Sequence, residues 1–156
     1  MQFAPNTTLP APSPDSIDEL EEAYEIKLPP SFVRYLNTGN GGTPVENSFP
    51  QGGELRMIEF FLPLLDDPAE DERGWSDINV VITELDERLI DDEDAIGIPI
   101  IPFAALFGGD FVCLDFRANP EQPQVAVWDH ELSEELQPHL EVIAPDFDTF
   151  LRQLRA

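Results

Sequence analysis

The chain is short of positive charge. Thirty-two Asp and Glu stand against eight Lys and Arg, a formal net charge of −24 at pH 7. Proteins that bind nucleic acid carry a basic stripe for the phosphates, and none exists here, so direct nucleic-acid binding is excluded. An anionic membrane surface would repel the chain for the same reason. Cysteine is almost missing too. Cys113 stands alone, so no internal disulfide can form. No uncharged apolar run reaches the roughly 20 residues that cross a bilayer. The opening stretch Met1–Pro14 lacks the basic and apolar regions of a secretion signal. With one cysteine and no such signal, the expected setting is reducing and cytoplasmic.

What is present describes a folded body. Apolar residues make up 42% of the 156, too many for a disordered chain, and the length suits one domain. Eleven Phe and two Trp supply bulky core material. The negative charge therefore sits on the surface of a compact domain. There it would steer a basic partner and raise its association rate; the plainer reading is that it serves solubility.

Residues 1–14 hold four prolines and read as a flexible arm, leaving 15–156 as a single domain. Ser16 and Glu19 read as the capping box of a helix ending near Ile26. Leu28-Pro29-Pro30 breaks it, and a second helix follows with Phe32, Tyr35 and Leu36 as its buried stripe and Gly39 as its C-cap. Asn40-Gly41-Gly42 reads as a turn and residues 43–55 as a loop. Arg56–Leu62 reads as a strand and Asp66–Gly74 as an acidic loop. Trp75, Ile78, Ile82, Leu85 and Leu89 recur at helical steps, with Ile78–Ile82 as a competing strand. Ile98–Ala104, Phe111–Phe116 and Val125–Trp128 read as three strands, the middle one apolar on both faces and so central. Leu140–Ala144 is either a short strand or an extended link. Pro145 opens a last helix that buries Phe147, Phe150, Leu151 and Leu154, with Arg152 and Arg155 in its last turn.

The order of these pieces resembles the SUKH superfamily of Smi/Knr-type domains. Leu28-Pro29-Pro30-Ser31-Phe32, Tyr35-Leu36 and Asn40-Gly41-Gly42 look like its opening. Ile101–Ala104, Gly108-Gly109-Asp110, Cys113-Leu114-Asp115 and Val125–Glu131 look like its central strands. Phe147–Leu151 looks like its closing helix. The similarity spans about residues 16–154; the stretch 43–95 contributes little to it. The resemblance implies an α+β fold, a mainly antiparallel sheet packed by N-terminal, middle and C-terminal helices. It also implies a non-catalytic role. Bacterial members are mostly immunity proteins that bind and neutralise a toxin, often a nuclease, while fungal relatives are regulatory scaffolds.

Catalytic spacing is thin. His130 and His139 lie nine residues apart, with no HExxH, CxxC or nucleophile elbow beside them. His130 reads as a strand-end surface residue and Cys113 as core. Asp92, Asp94 and Gly97 copy part of a calcium loop, but Ile96 and Phe103 stand where acidic ligands belong. The Gly pairs at 41–42 and 108–109 lack the context of a phosphate loop. No catalytic residue, metal site or cofactor is therefore expected. The expected partner is a toxin with a basic surface, met by Asp66, Asp67, Glu70, Asp71 and Glu72, with Asp91, Asp92 and Asp94 as the second group. Trp75 is the candidate aromatic anchor beside them, with core packing as the competing reading.

Overall fold

A computed structural model describes residues 1–156. Helices α1 (Pro14–Tyr24) and α2 (Pro30–Gly39) precede strands β1 (Ser48–Gln51) and β2 (Glu54–Phe61). Helix α3 (Ile78–Leu85) follows, then β3 (Ile100–Leu106), β4 (Phe111–Asp115), β5 (Gln124–Trp128), β6 (Leu140–Ala144) and α4 (Phe147–Gln153). The six strands form one antiparallel meander in chain order. The expected α+β class and antiparallel sheet hold.

Adjacent residues of a strand face opposite ways, and the sheet is covered on both sides. Phe61 joins the aromatic cluster of Tyr35, Phe32, Phe103 and Phe147, packed edge to face at 5.0 to 5.8 Å under α2 and α4. Its neighbour Phe60 faces the other way and meets Trp75. Trp128 also lies on that second side, its indole N–H donating to Arg88 O at 3.0 Å, just beyond α3. Hence β4 is buried along nearly its whole length, as its two-faced apolar sequence requires. The sheet is coiled enough that its edge strands approach. The Gln51 side chain at the end of β1 donates to Glu141 of β6 at 2.8 Å, while Phe49 and Phe150 link β1 to α4.

Several local expectations change. The N-cap of α1 is Ser13, whose hydroxyl accepts from Ser16 N with Pro14 at the first helical position. Ser16 is already inside the helix. α4 is capped by Asp146 rather than opened by Pro145, and Arg155 lies past its end, bridged to Ser48. Within 43–55, expected as loop, β1 and β2 form a hairpin. Gly52 and Gly53 turn it with φ of 57° and 83°, a conformation that glycine adopts at no steric cost. Of the two readings at 78–82, the helix holds; of the two at 140–144, the strand.

The proline-rich N-terminal segment, expected to be a flexible arm, lies along the body. Ala4 N and Leu9 N donate to Thr43 O and Asn40 O. Asn40 is buried and donates from its amide to both Pro10 O and Leu64 O. Phe3 packs on Tyr35 and Phe61. Gly39 and Gly42 leave it room, since a Cβ on either would overlap the Phe3 ring, at 1.9 Å and 2.4 Å. Composition suggested an arm because proline weakens regular structure; one aromatic and a run of main-chain bonds are enough to dock it.

Candidate protein-binding surface

The first acidic group is divided in its work. Asp66 accepts from Ser13 N at 2.8 Å and Ser16 Oγ at 2.6 Å. Those bonds, Ser16 first, hold its carboxyl below the usual range, and they tie the start of α1 to the loop after β2. Asp71 accepts from Arg73 N. Asp67, Glu70 and Glu72 make no side-chain bond and face solvent. In the second group, Asp91 pairs with Arg117 at 3.6 Å and Asp92 accepts from Asp94 N. The two groups lie apart. Asp91, Asp92 and Asp94 sit near the Ile100–Asp115 end of the β3–β4 pair, while Trp75 sits near its Leu106–Phe111 end. The seven residues of β3 separate those ends by roughly 20 Å at ~3.3 Å per residue.

A third concentration joins two acidic runs, 84–94 and 129–135, whose meeting the sequence does not show because they are distant in the chain. Leu136 N donates to Glu87 O at 2.9 Å, which brings the 129–137 loop against the turn after α3. There Glu135, followed by partial desolvation, Asp86 and Glu93, raises the Glu87 carboxyl above its ordinary value. The cations do not offset this surface. Arg56 pairs with Asp110 at 2.8 Å. Arg73 donates to Thr7 O and Gly41 O. Arg88 donates to His130 O and lies over the Trp128 ring. Arg117 is bound to Asp115 at 2.9 Å. The remaining side chains, Lys27, Arg34, Arg152 and Arg155, belong to α2, α4 and their flanks.

Trp75 is not core: it is 62% exposed. It stands on a 3-10 turn, Gly74–Ser76, as one wall of a groove of about 310 Å³. Phe60 and Val81 lie in the groove, Phe107 on the β3–β4 turn is 57% exposed, and Glu59 and Glu84 supply carboxylates. Glu59 sits where β2 slips register between Ile58 and Phe60, so the groove owes its shape to a β-bulge. The apolar strip continues to Met57, whose carbonyl accepts from Phe107 N.

Beside the groove, Asp110 is the centre of a polar network. It accepts from Arg56, from His130 N at 2.9 Å, and contacts His130 Nδ1 at 2.5 Å. Arg56 also donates to Gln51, which in turn bonds Glu141, so the network crosses the end of the coiled sheet. Asp110, Asp129 and His130 offer atoms within 4.8 Å of one another. Part of this set is already engaged. The Arg56 guanidinium occupies the Asp110 carboxylate, and Asp129 accepts from Glu131 N and Leu132 N. These bonds make Asp110 a structural tie between β2, the β3–β4 turn and the end of β5. Cys113 is fully buried, and burial followed by the nearby Asp115 raises its thiol pKa well above the ordinary value, which keeps the group protonated and out of reach.

The SMI1 / KNR4 family (SUKH-1) model matches residues 11–153. The chain belongs to that family. The matched span includes the acidic loops and the groove, and leaves out the first ten residues, which carry Phe3. No curated protein matches the chain significantly. No helix is long and apolar enough to cross a membrane. In this SMI1 / KNR4 chain the groove is built on the sheet itself, from β2 and the β3–β4 turn, and not from the acidic loops alone. Trp75 was legible as an aromatic beside acids. Phe107, Glu59 and Glu84 were not, because a bulge and a turn bring them together.

Proposed function

We propose that this SMI1 / KNR4-family chain is an immunity protein that binds a cognate toxin in the cytoplasm and neutralises it by covering its basic surface. A nuclease is the toxin class this charge suits best, because its phosphate-binding groove must be basic. The observation that carries the reading is the disposition of charge. Four arginines are committed to internal carboxylates or carbonyls, while Asp67, Glu70, Glu72 and the Glu87–Glu135 cluster face outward unpaired. The bound protein then excludes substrate both by bulk and by its field, and no catalytic group is needed.

Co-expression with the toxin domain encoded beside this gene tests it. Growth should be restored, and the two chains should co-purify at one to one. Association should slow by about tenfold or more between low and physiological ionic strength, as steered encounters do. If the chain leaves the toxin fully active, the immunity reading falls. If instead the gene has no toxin neighbour and the chain co-purifies with a host signalling protein, the regulatory scaffold of the fungal relatives replaces it.

A further inference from the structure

We propose that the groove between Trp75 and Phe107 is the anchoring socket for one aromatic or long aliphatic side chain of the partner protein, presented on a segment with Lys or Arg on both sides. This rests on the immunity reading for its biological partner, though not for its chemistry.

The socket is formed without a ligand. Gly74 admits no side chain, since a Cβ there would lie 1.8 Å from Pro68 O, and the Ser76 hydroxyl donates to Arg73 O at 2.6 Å. The turn that carries Trp75 is therefore packed closely against Pro68 and closed by its own hydrogen bond. Its indole is braced edge-on against Phe60 at 5.6 Å and 81°. On the other wall, Gly108 and Gly109 take φ of 104° and 103°, and Asp110 directly after them is held by Arg56 and His130. Two exposed aromatics on turns held by hydrogen bonds and ring packing lose less freedom on binding than free loops do, and a tryptophan at an apolar cleft is a usual form of binding hot spot. The volume, about 310 Å³, lies at the small end of the ~300–1,000 Å³ typical of ligand sites, enough for one side chain.

Charge selects what flanks that side chain. Glu59 and Glu84 line the groove. Arg73 lies over Phe60 at 5.5 Å, but its guanidinium is bound to Thr7 O and Gly41 O. An apolar residue with acidic neighbours would be repelled, and so would a second copy of this chain, with a net charge of −24 on each. A basic-flanked apolar residue satisfies both the cleft and its rim.

The test uses three pentapeptides, Lys-Arg-Phe-Lys-Arg, Lys-Arg-Ser-Lys-Arg and Glu-Glu-Phe-Glu-Glu, titrated at low salt and followed by 19F NMR of 5-fluorotryptophan. Trp128 is fully buried, so the Trp75 signal is the reporter. The first peptide should shift it, and the other two should not. Affinity for the first should fall at least tenfold in Trp75→Ala, read by amide shifts, and in Glu59→Lys/Glu84→Lys, with unchanged melting temperatures as the folding control. No Trp75 shift with any peptide, or equal binding of the Ser peptide, overturns the socket. In the toxin assay the two readings separate. If the wild type neutralises and Trp75→Ala/Phe107→Ala does so equally well, the socket fails and immunity stands. If the wild type does not neutralise, immunity fails and the peptides alone decide the socket.

Discussion

Replacing Asp110 by alanine should cost this protein more than any surface substitution, because one carboxylate holds three elements together. Its side chain is 12% exposed and that of its partner Arg56 25%. It ties β2 through Arg56, and the end of β5 through the His130 main chain and ring. Removing one member of a buried pair typically costs ~3–5 kcal/mol, because the other is left uncompensated. Water can still reach part of the Arg56 guanidinium, which lowers the expected loss to about 2–3 kcal/mol. For a domain of this length that is a fall of about 4–12 °C in melting temperature. Urea denaturation at neutral pH measures it directly. Acid gives a second readout. Burial alone would raise the Asp110 carboxyl, but the His130 N–H, its ring and Arg56 outweigh burial and hold it below the ordinary value. A carboxyl lowered by folding contributes its full stability above the unfolded value, near ~3.9, and loses it as pH falls through the folded value. The part of the gap between wild type and Asp110→Ala that comes from the ionised carboxyl is therefore lost in acid, and the gap should narrow there. A double-mutant cycle with Arg56→Met isolates the pair. A loss under about 0.5 kcal/mol at neutral pH, or a gap that persists unchanged in acid, would refute the claim that this ion network holds the turn beside the groove.

Three further outcomes follow from the same geometry. Phe3→Ala should destabilise by about 2–3 kcal/mol in urea titration, since the ring fills the space over Gly39 and Gly42; an effect near zero would return the segment to a free arm. Asp66→Ala should cost about 1–2 kcal/mol through lost bonds at the α1 cap, whereas Asp67→Ala and Glu72→Ala should stay within about 0.5 kcal/mol and instead slow toxin association. Glu87→Gln should raise stability at neutral pH: its folded carboxyl is raised, so the penalty is present above that value and vanishes once pH falls below the ordinary Glu range near ~4.3, which a pH series of melts would show.

Elements whose burial is written locally were legible. Phe32, Tyr35 and Leu36 at helical spacing, two-faced Phe111–Leu114, and Phe147 with Phe150 each announced their element without help from distant residues. The misplaced caps were also local: Ser13 before Pro14 is a stronger start than Ser16, and Gly52-Gly53 between two extended runs marks a hairpin. What sequence could not supply is registry. Arg56 and Asp110 are 54 residues apart, Asp110 and His130 20, and Glu87 meets Glu135 only because the 129–137 loop folds back on α3. Trp75 was misleading for a different reason. It continues the helical period of Ile78 and Ile82 backwards, but the helix starts only after the Asp77 cap and Trp75 stands on a separate 3-10 turn, so the ring faces outward.

The acidity of the chain is not evenly a burden on its fold. Self-repulsion of a surface this charged opposes the compact state, and part of the opposing stabilisation comes from a few cations placed where each does the most. Arg56, Arg73, Arg88 and Arg117 bind buried or half-buried acceptors, and two of them also stack on Phe60 and Trp128. Arg56 and Arg117 are paired with Asp110 and Asp115, and with only eight basic residues against 32 acidic ones most outer carboxylates keep no countercharge. A basic partner supplies the missing countercharge, so its binding would remove repulsion that folding left in place. Association should therefore raise the melting temperature beyond what contact area alone gives, and salt, which screens the same repulsion, should stabilise the free chain while weakening the complex. Those opposite signs distinguish a functional acidic surface from one that serves solubility alone.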